Sequence, residues 1–279
     1  MFSIIIPTWN NLELLKLCVS SLHRHTTLPI EIVLHVNEGS DGTLDWVRSE
    51  GILHTYSPEN IGICHAVNQA AALSTRPYLV YLNDDMVCCP GWDTVLMNCI
   101  QSLGTDAFML SGTMIEPRET GNPCVIVRDY GNSPETFRET AMLRDLPQPY
   151  KSNWYGATWP PTVVHRDWWV KVGGYSPEFS PGISSDNDFS MKLWAAGCRI
   201  FLGLGASRVY HFMSRSTGKV VRNDGRKQFL LKWGMTQSTF DRHFLRRGQR
   251  ATLVRLPEPE KTLLYCWDLL RGKVKRIWA

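Results

Sequence analysis

Tyr78-Leu79-Val80-Tyr81-Leu82-Asn83-Asp84-Asp85-Met86 sets two adjacent carboxylates at the end of an apolar run with strand character. Neighbouring carboxylates repel unless a proton or cation neutralises them, and hard cations favour oxygen ligands while leaving positions for a substrate's phosphates. The pair reads either as a divalent-cation site for a phosphate-bearing donor or as a solvated acidic turn. A short apolar run does not by itself separate strand from buried helix, so the surrounding chain decides.

Upstream, Phe2-Ser3-Ile4-Ile5-Ile6 is a β-branched strand that breaks at Pro7-Thr8-Trp9-Asn10. Leu12, Leu15, Cys18, Val19 and Leu22 then recur at helical spacing over residues 11–24, with Asn10 or Asn11 available as a cap. Residues 30–36 give a second strand, followed by the polar loop Asn37-Glu38-Gly39-Ser40-Asp41-Gly42-Thr43 and a helix over 44–49. A short strand at 52–56, the turn Asn60-Ile61-Gly62, an Ala-rich helix over 63–74 and a strand at 78–82 complete the series. Such alternation predicts an α/β fold with a doubly wound, mostly parallel sheet. In these sheets ligands gather beyond the carboxyl ends of the strands. Thr8-Trp9-Asn10, residues 37–43 and Asn83-Asp84-Asp85 all fall there. This convergence favours the binding-site reading of the acidic pair. No GxGxxG follows the first strand and no GxxxxGK[ST] occurs anywhere, which removes the main support for dinucleotide and P-loop pockets.

The chain has 279 residues, of which 43% are hydrophobic, enough for a substantial core. Its net charge of +4 is unevenly divided: residues 206–279 carry 17 Lys/Arg against 5 Asp/Glu, so the preceding part is acidic. A basic C-terminal region suits an anionic partner or a solvated face. Its mixture of aromatic and basic residues suits an anionic membrane surface or a lid on the main domain, and no nucleic-acid partner is expected. No run approaches the roughly 20 apolar residues needed to span a bilayer, and no basic segment precedes a signal-peptide core. The expectation is a cytoplasmic protein, peripheral at the membrane if the tail docks there. Eight cysteines without a CxxC pair read as reduced thiols.

Between residues 104 and 183 periodicity is weak, and Pro, Gly and Trp are frequent. Trp154, Trp159, Trp168 and Trp169 cluster in sequence with Tyr150, Tyr155 and Tyr175; such rings stack on sugars or fill cores. Trp168 and Trp169 read as core, while Trp154 and Trp159 are candidate acceptor contacts. Ser184-Ser185-Asp186-Asn187-Asp188 precedes a helical period over 189–196 that Gly197 stops. Asp186 at that helix start is a cap or a reactive carboxylate. Asp188, two residues on, points to a different face and is a separate acceptor-side candidate.

Together these segments resemble glycosyltransferase family 2, the inverting nucleotide-sugar transferases with the GT-A fold, over about residues 2–212. Ser3-Ile4-Ile5-Ile6-Pro7-Thr8-Trp9-Asn10 is similar to the family's first strand and nucleotide loop, and Val36–Thr43 to its second acidic loop. Asn60-Ile61-Gly62 with Ala66 and Asn68 resembles the next segment, and Asn83-Asp84-Asp85 the DxD-type motif. Val172-Gly173-Gly174-Tyr175 and Asp186–Leu193 look like the acceptor-side segment and the ED-type helix. The resemblance implies a hexosyl or related transferase. Its nucleotide sugar, most often a UDP sugar, would be bound by Pro7, Thr8, Asn10, Glu38, Ser40, Asn60, Gly62, Asn68, Asn83 and Asp84. It implies Mn²⁺ or Mg²⁺ on Asp85, Asp84 and His211, Asp186 as general base, and a glycan, lipid-linked or protein acceptor. Residues 1–212 would form the GT-A domain, with 1–103 the donor half and 104–212 the acceptor half. Residues 213–279 would form a basic helical extension.

Four positions depart from the family pattern. Glu38 stands in place of Asp, Asn83 in place of the first acid of DxD, Ser185 in place of the Glu of the ED pair, and Val67 where Arg is frequent. The last leaves the pyrophosphate contact in need of another source. A sugar-nucleotide nucleotidyltransferase would carry a Gly-rich basic N-terminal loop, which Pro7-Thr8-Trp9-Asn10 is not. A non-catalytic carbohydrate-binding module would have no need of Asp84, Asp85 and Asp186 together.

Overall fold

A computed structural model describes residues 1–148, 151–214 and 223–278. Tyr150 lies outside the described residues. The first part follows the sequence pattern: β1 (Phe2–Trp9), α1 (Leu12–His25), β2 (Ile30–Asn37), α2 (Thr43–Ser49), β3 (Leu53–Ser57), α3 (Ile63–Leu73) and β4 (Tyr78–Tyr81). Beyond these lie β5 (Met86–Cys88), α4 (Trp92–Leu103), β6 (Phe108–Glu116), β7 (Ile126–Val127), α5 (Glu139–Asp145), β8 (Trp154–Tyr155), β9 (Thr162–His165), α6 (Arg166–Val172), α7 (Ser185–Ala195) and β10 (Ile200–His211). The C-terminal part holds α8 (Gly225–Trp233), α9 (Gln237–Thr239) running into a π-helical turn at Phe240–Phe244, and α10 (Leu263–Ile277).

One mixed, mostly parallel sheet organises the molecule, in the order β3-β2-β1-β4-β9-β6-β10-β5, with β7 on β6 and β8 on β10. The parallel set β3-β2-β1-β4 is the doubly wound half, in which Ile4, Ile5, Ile6, Val33, Leu34 and Val36 are fully buried. Residues buried on both faces of a parallel sheet need no polar alternation, which is why these strands read as continuous apolar runs. β9 lies antiparallel between β4 and β6 and joins the two halves.

β10 accommodates the Trp154 ring at Gly203: a Cβ there would lie 1.9 Å from Trp154 Cε2, so only glycine fits beneath the ring. Gly203→Ala is expected to destabilise the fold by roughly 1–3 kcal/mol through overpacking. Urea unfolding would read this as a lower midpoint with an unchanged slope.

Residues following 212 also enter this core. Phe229, Phe240, Leu245 and Leu256 are buried in the same apolar cluster as the sheet, and Phe244 sets its ring edge-on to Trp194 at 5.4 Å. Helix α10 is different: Gly272 is its sole buried residue. All eight cysteines are free thiols. No helix among the described residues is long and apolar enough to cross a membrane.

Candidate active site

Beyond the carboxyl ends of β1 and β4 opens a pocket of about 730 Å³. From the donor-side candidates it gathers Pro7, Thr8, Asn60, Gly62, Asn83, Asp84 and Asp85; from the downstream ones it gathers Asp186 and His211. Residues separated by two hundred positions meet because β4 and β10 end, and α7 begins, at this edge.

The acidic pair is held from two sides. Thr8 Oγ1 donates to Asp84 Oδ2 at 2.7 Å, and the Ser214 backbone N–H donates to Asp85 Oδ2 at 2.9 Å. Burial, with the adjacent Asp85 charge, pushes the Asp84 carboxyl up to about 7. Burial also raises Asp85, but the His211 imidazole and its hydrogen bonding outweigh that, so Asp85 stays below the ordinary value. His211 lies between two carboxylates, with Nε2 3.5 Å from Asp85 Oδ2 and Nδ1 3.0 Å from Glu116 Oε1. Burial works to lower its basicity, yet these neighbours carry it up to about 10.

This donor set fits a divalent cation. Asp84 is a carboxylate short of counter-charge, Asp85 stays ionised, and an imidazole backed by a carboxylate is a common arrangement for a metal-ligating histidine. Among the described residues, no three His, Cys, Asp or Glu side chains are already gathered around a single metal-sized point. A cation here would need to draw further ligands from the donor's phosphates.

Asp186 stands on the pocket wall in the first turn of α7, which starts four residues earlier than the apolar period suggests. Burial raises its carboxyl to about 7, against the opposing pull of the Tyr175 hydroxyl, which donates to Oδ1 at 2.8 Å. Tyr175 is locked by stacking on Phe189 and by Asn68, whose amide accepts from the Tyr175 N–H and donates to its carbonyl. Asn68, expected at the donor, therefore stands one layer back, behind Tyr175 and Asp186.

Gly62 brings α3 against the 180–183 loop. A Cβ there would lie 2.2 Å from Ser180 Oγ, and at φ 77° only glycine is unstrained. Among the described residues, the non-glycine ones with left-handed φ are Asn10, Glu38, Ser184, Met213 and Arg246. Four of them line the pocket or adjoin lining residues. Backbone strain of this kind costs about 1–3 kcal/mol per residue and concentrates at functional sites.

Several candidates are placed elsewhere. Asn10, Glu38 and Ser40 do not line the pocket but form a network beside it: Trp9 Nε1 donates to Glu38 Oε2 at 2.8 Å, Ser40 Oγ to Glu38 Oε1 at 3.0 Å and Asn10 Nδ2 to Ser40 Oγ at 3.1 Å. That network orients Trp9, which does line it. Trp154, Trp159 and Asp188 are not brought to this pocket. Trp154 is buried on Gly203, with its Nε1 donating to Thr113 Oγ1 at 2.9 Å. Trp159 packs against the core beneath the Arg247 guanidinium, 4.6 Å from its ring. Asp188 is fully buried and accepts from Ser176 Oγ and Trp233 Nε1, with Lys232 Nζ at 2.9 Å. These contacts account for Asp188 as the anchor of α8 on α7.

Lining residues that carried no sequence signal include Arg118, Ile183, Met213 and Ser214. Arg118 is exposed and has no carboxylate partner among the described residues.

A Rossmann-like sheet with an acidic pair at β4's end and a second acid at the start of α7 defines the GT-A class. The sequence pattern of Glycosyl transferase family 2 matches residues 3–146, just over half of the chain, and the chain belongs to that family. Relatives include the PGL/p-HBAD biosynthesis glycosyltransferases of Mycobacterium tuberculosis and Mycobacterium bovis. Each is 34% identical over 92 residues, which is 30% of this chain and 35% of the relative, so the match spans about a third of their length. Among solved structures, S. aureus TarS 1-349 in complex with UDP-GlcNAc superposes with a TM-score of 0.60 at 15% identity, covering 83% of this chain and 64% of that one. TarS 1-349 without a named ligand gives 0.57 at 16% identity, covering 75% and 60%. At such identities the likeness is one of fold.

Proposed function

We propose that the protein transfers a sugar, with inversion, from a nucleotide sugar to an acceptor hydroxyl on a glycan, a lipid-linked glycan or a protein. UDP is the favoured nucleotide, in keeping with the UDP-GlcNAc complex of TarS. The observation that carries this reading is the meeting of Asp84, Asp85, His211 and Asp186 in one pocket.

Asp186 would take the proton from the acceptor hydroxyl as that oxygen attacks the anomeric carbon from the side opposite the diphosphate. Such a base, if correctly placed, contributes about 10²- to 10⁴-fold. Tyr175 fixes the orientation of the carboxylate, and the surrounding burial brings its proton affinity near neutrality. Asp85 and Asp84, with His211, would hold Mn²⁺ or Mg²⁺, which offsets charge on the departing diphosphate. An imidazole among the ligands favours Mn²⁺ over Mg²⁺. Screening nucleotide sugars for Mn²⁺-dependent hydrolysis, followed by a panel of glycan acceptors, tests the reading. No turnover of any nucleotide sugar would refute it.

Arg118 supplies the cation that Val67 cannot. Its exposed guanidinium at the pocket lining suits a diphosphate, which Arg recognises through paired charge-assisted hydrogen bonds. Arg118→Ala is expected to raise the donor KM on the order of ten-fold with kcat little changed, since contact with the donor is made equally in ground and transition states. Initial-rate kinetics over donor concentration would show it. An unchanged KM removes Arg118 from the donor site.

A further inference from the structure

Helix α10 is attached by one narrow face. Tyr265 packs on His243 with ring centroids 5.2 Å apart, Asp268 accepts from Arg242 Nη1 and His243 Nε2 at 2.9 Å each, and Gly272 is buried beside Met235 and Thr236. Residues 265, 268 and 272 follow the helical repeat and define the inner side, which rests on α8 and α9.

The outer side is apolar. Leu263, Trp267, Leu270, Val274 and Ile277 recur at intervals of four, three, four and three, and with Trp278 they are between 48 and 93% exposed. At 100° per residue this stripe centres almost opposite the inner one. Arg271 borders it on one side and Lys273 on the other, and Lys275 and Arg276 add charge in the last turn; all four are exposed. A soluble protein has no use for a continuous apolar stripe of this kind turned to water.

We infer that α10 is an interfacial helix that lies flat on an anionic lipid surface, its Leu/Trp/Ile stripe entering the headgroup boundary and its flanking Arg and Lys residues meeting lipid phosphates. Charge decides the occupant. Asp268 is the one acid between residues 263 and 277, and it is already spent on Arg242 and His243. The outer side therefore offers cations without anions. Two copies packed side by side in parallel through this stripe would set cation against cation, whereas an anionic bilayer complements both the stripe and its borders. Arg and Lys stems can lie along the apolar surface while their charged ends reach the phosphates. The helix is too short to span a bilayer, and it is capped before docking by Thr262 Oγ1, which accepts from the Tyr265 N–H at 3.2 Å. This surface does not depend on the transfer chemistry proposed above.

Flotation of the full chain with phosphatidylcholine vesicles, with and without phosphatidylglycerol, tests the inference. Wild type is expected to float only with the anionic vesicles and to be released by high salt. Leu270→Glu is expected to lower partitioning at least about ten-fold by removing an apolar contact from the stripe's centre. Lys273→Ala should lower it about five-fold, the ratio that corresponds to ~1 kcal/mol per cation near an anionic surface. Both sites are exposed, so circular dichroism and nucleotide-sugar hydrolysis in vesicle-free buffer should match wild type. Failure of wild type to float, or flotation of Leu270→Glu equal to wild type, overturns the inference. So does a self-association that Leu270→Glu abolishes without any binding to vesicles, which would assign the stripe to a second copy.

Discussion

Asp186→Asn is expected to lower kcat by about 10²- to 10⁴-fold and to leave Mn²⁺-dependent nucleotide binding nearly intact. The substitution keeps the size of the side chain and its ability to accept from the Tyr175 hydroxyl, and removes only the capacity to accept the acceptor's proton. Calorimetric titration of the variant with UDP and Mn²⁺ separates the two effects. Turnover at the wild-type rate would remove Asp186 from the role of base. Burial sets this carboxyl at about 7, so wild-type kcat/KM should fall about ten-fold for each pH unit below 7.

The same shift has a consequence for stability. An unfolded Asp titrates near 3.9, so folding favours the protonated Asp186. Its contribution to stability is fully present below the unfolded value and lost as pH rises toward 7. The amide that replaces the carboxyl in the variant cannot ionise. The melting temperature of Asp186→Asn relative to wild type should therefore rise from about pH 4 to pH 7 and level off above. A difference that stays constant over this range would show that the carboxyl is not held near neutrality.

Much of this site can be read from the chain because strand-end polar clusters are local in sequence. Thr8, Asp84 and Asp85 each follow a β-branched or apolar run, and the doubly wound pattern fixes which end of the sheet they share. The second half of the sheet carries no such signature. All nine residues of β6 are buried, Ser111, Thr113 and Glu116 included, so its sequence shows neither alternation nor a clean apolar run. With β6 unread, Arg118 looks like any loop arginine although it follows the strand's end by two residues. The tryptophans mislead for another reason: a sugar platform and a core ring have the same composition. Gly203, almost fifty residues after Trp154, decides between them, and their pairing exists only in the folded sheet. Asp188 misleads similarly. Its partners Lys232 and Trp233 come from α8, in the C-terminal extension that the sequence leaves as either a lid or a membrane-facing tail.

Asp85→Asn is expected to weaken UDP binding in the presence of Mn²⁺ by roughly a hundred-fold or more, and to leave metal-free UDP binding unaffected. The neutral amide keeps the shape and can still accept from the Ser214 N–H, so the loop at the end of β10 should hold its position. What it loses is the ionised oxygen that faces His211 and the pocket. An affinity for UDP with Mn²⁺ equal to wild type would exclude Asp85 as a ligand. His211 allows a second reading of the same titration. Asp85 and Glu116 keep its imidazole protonated to about 10, and a ligating Nε2 must first give up that proton. If His211 is a ligand, Mn²⁺ binding to wild type releases a proton at pH 7, and the measured enthalpy changes with the ionisation enthalpy of the buffer. If His211 instead remains an imidazolium counter-charge to Asp85, only Asp84, held at about 7, gives up a proton, so the release stays at about half a proton at pH 7 and the carboxylates hold the cation without the imidazole. Asp85→Asn should abolish the metal-linked enthalpy in either case, which makes it the reference for both.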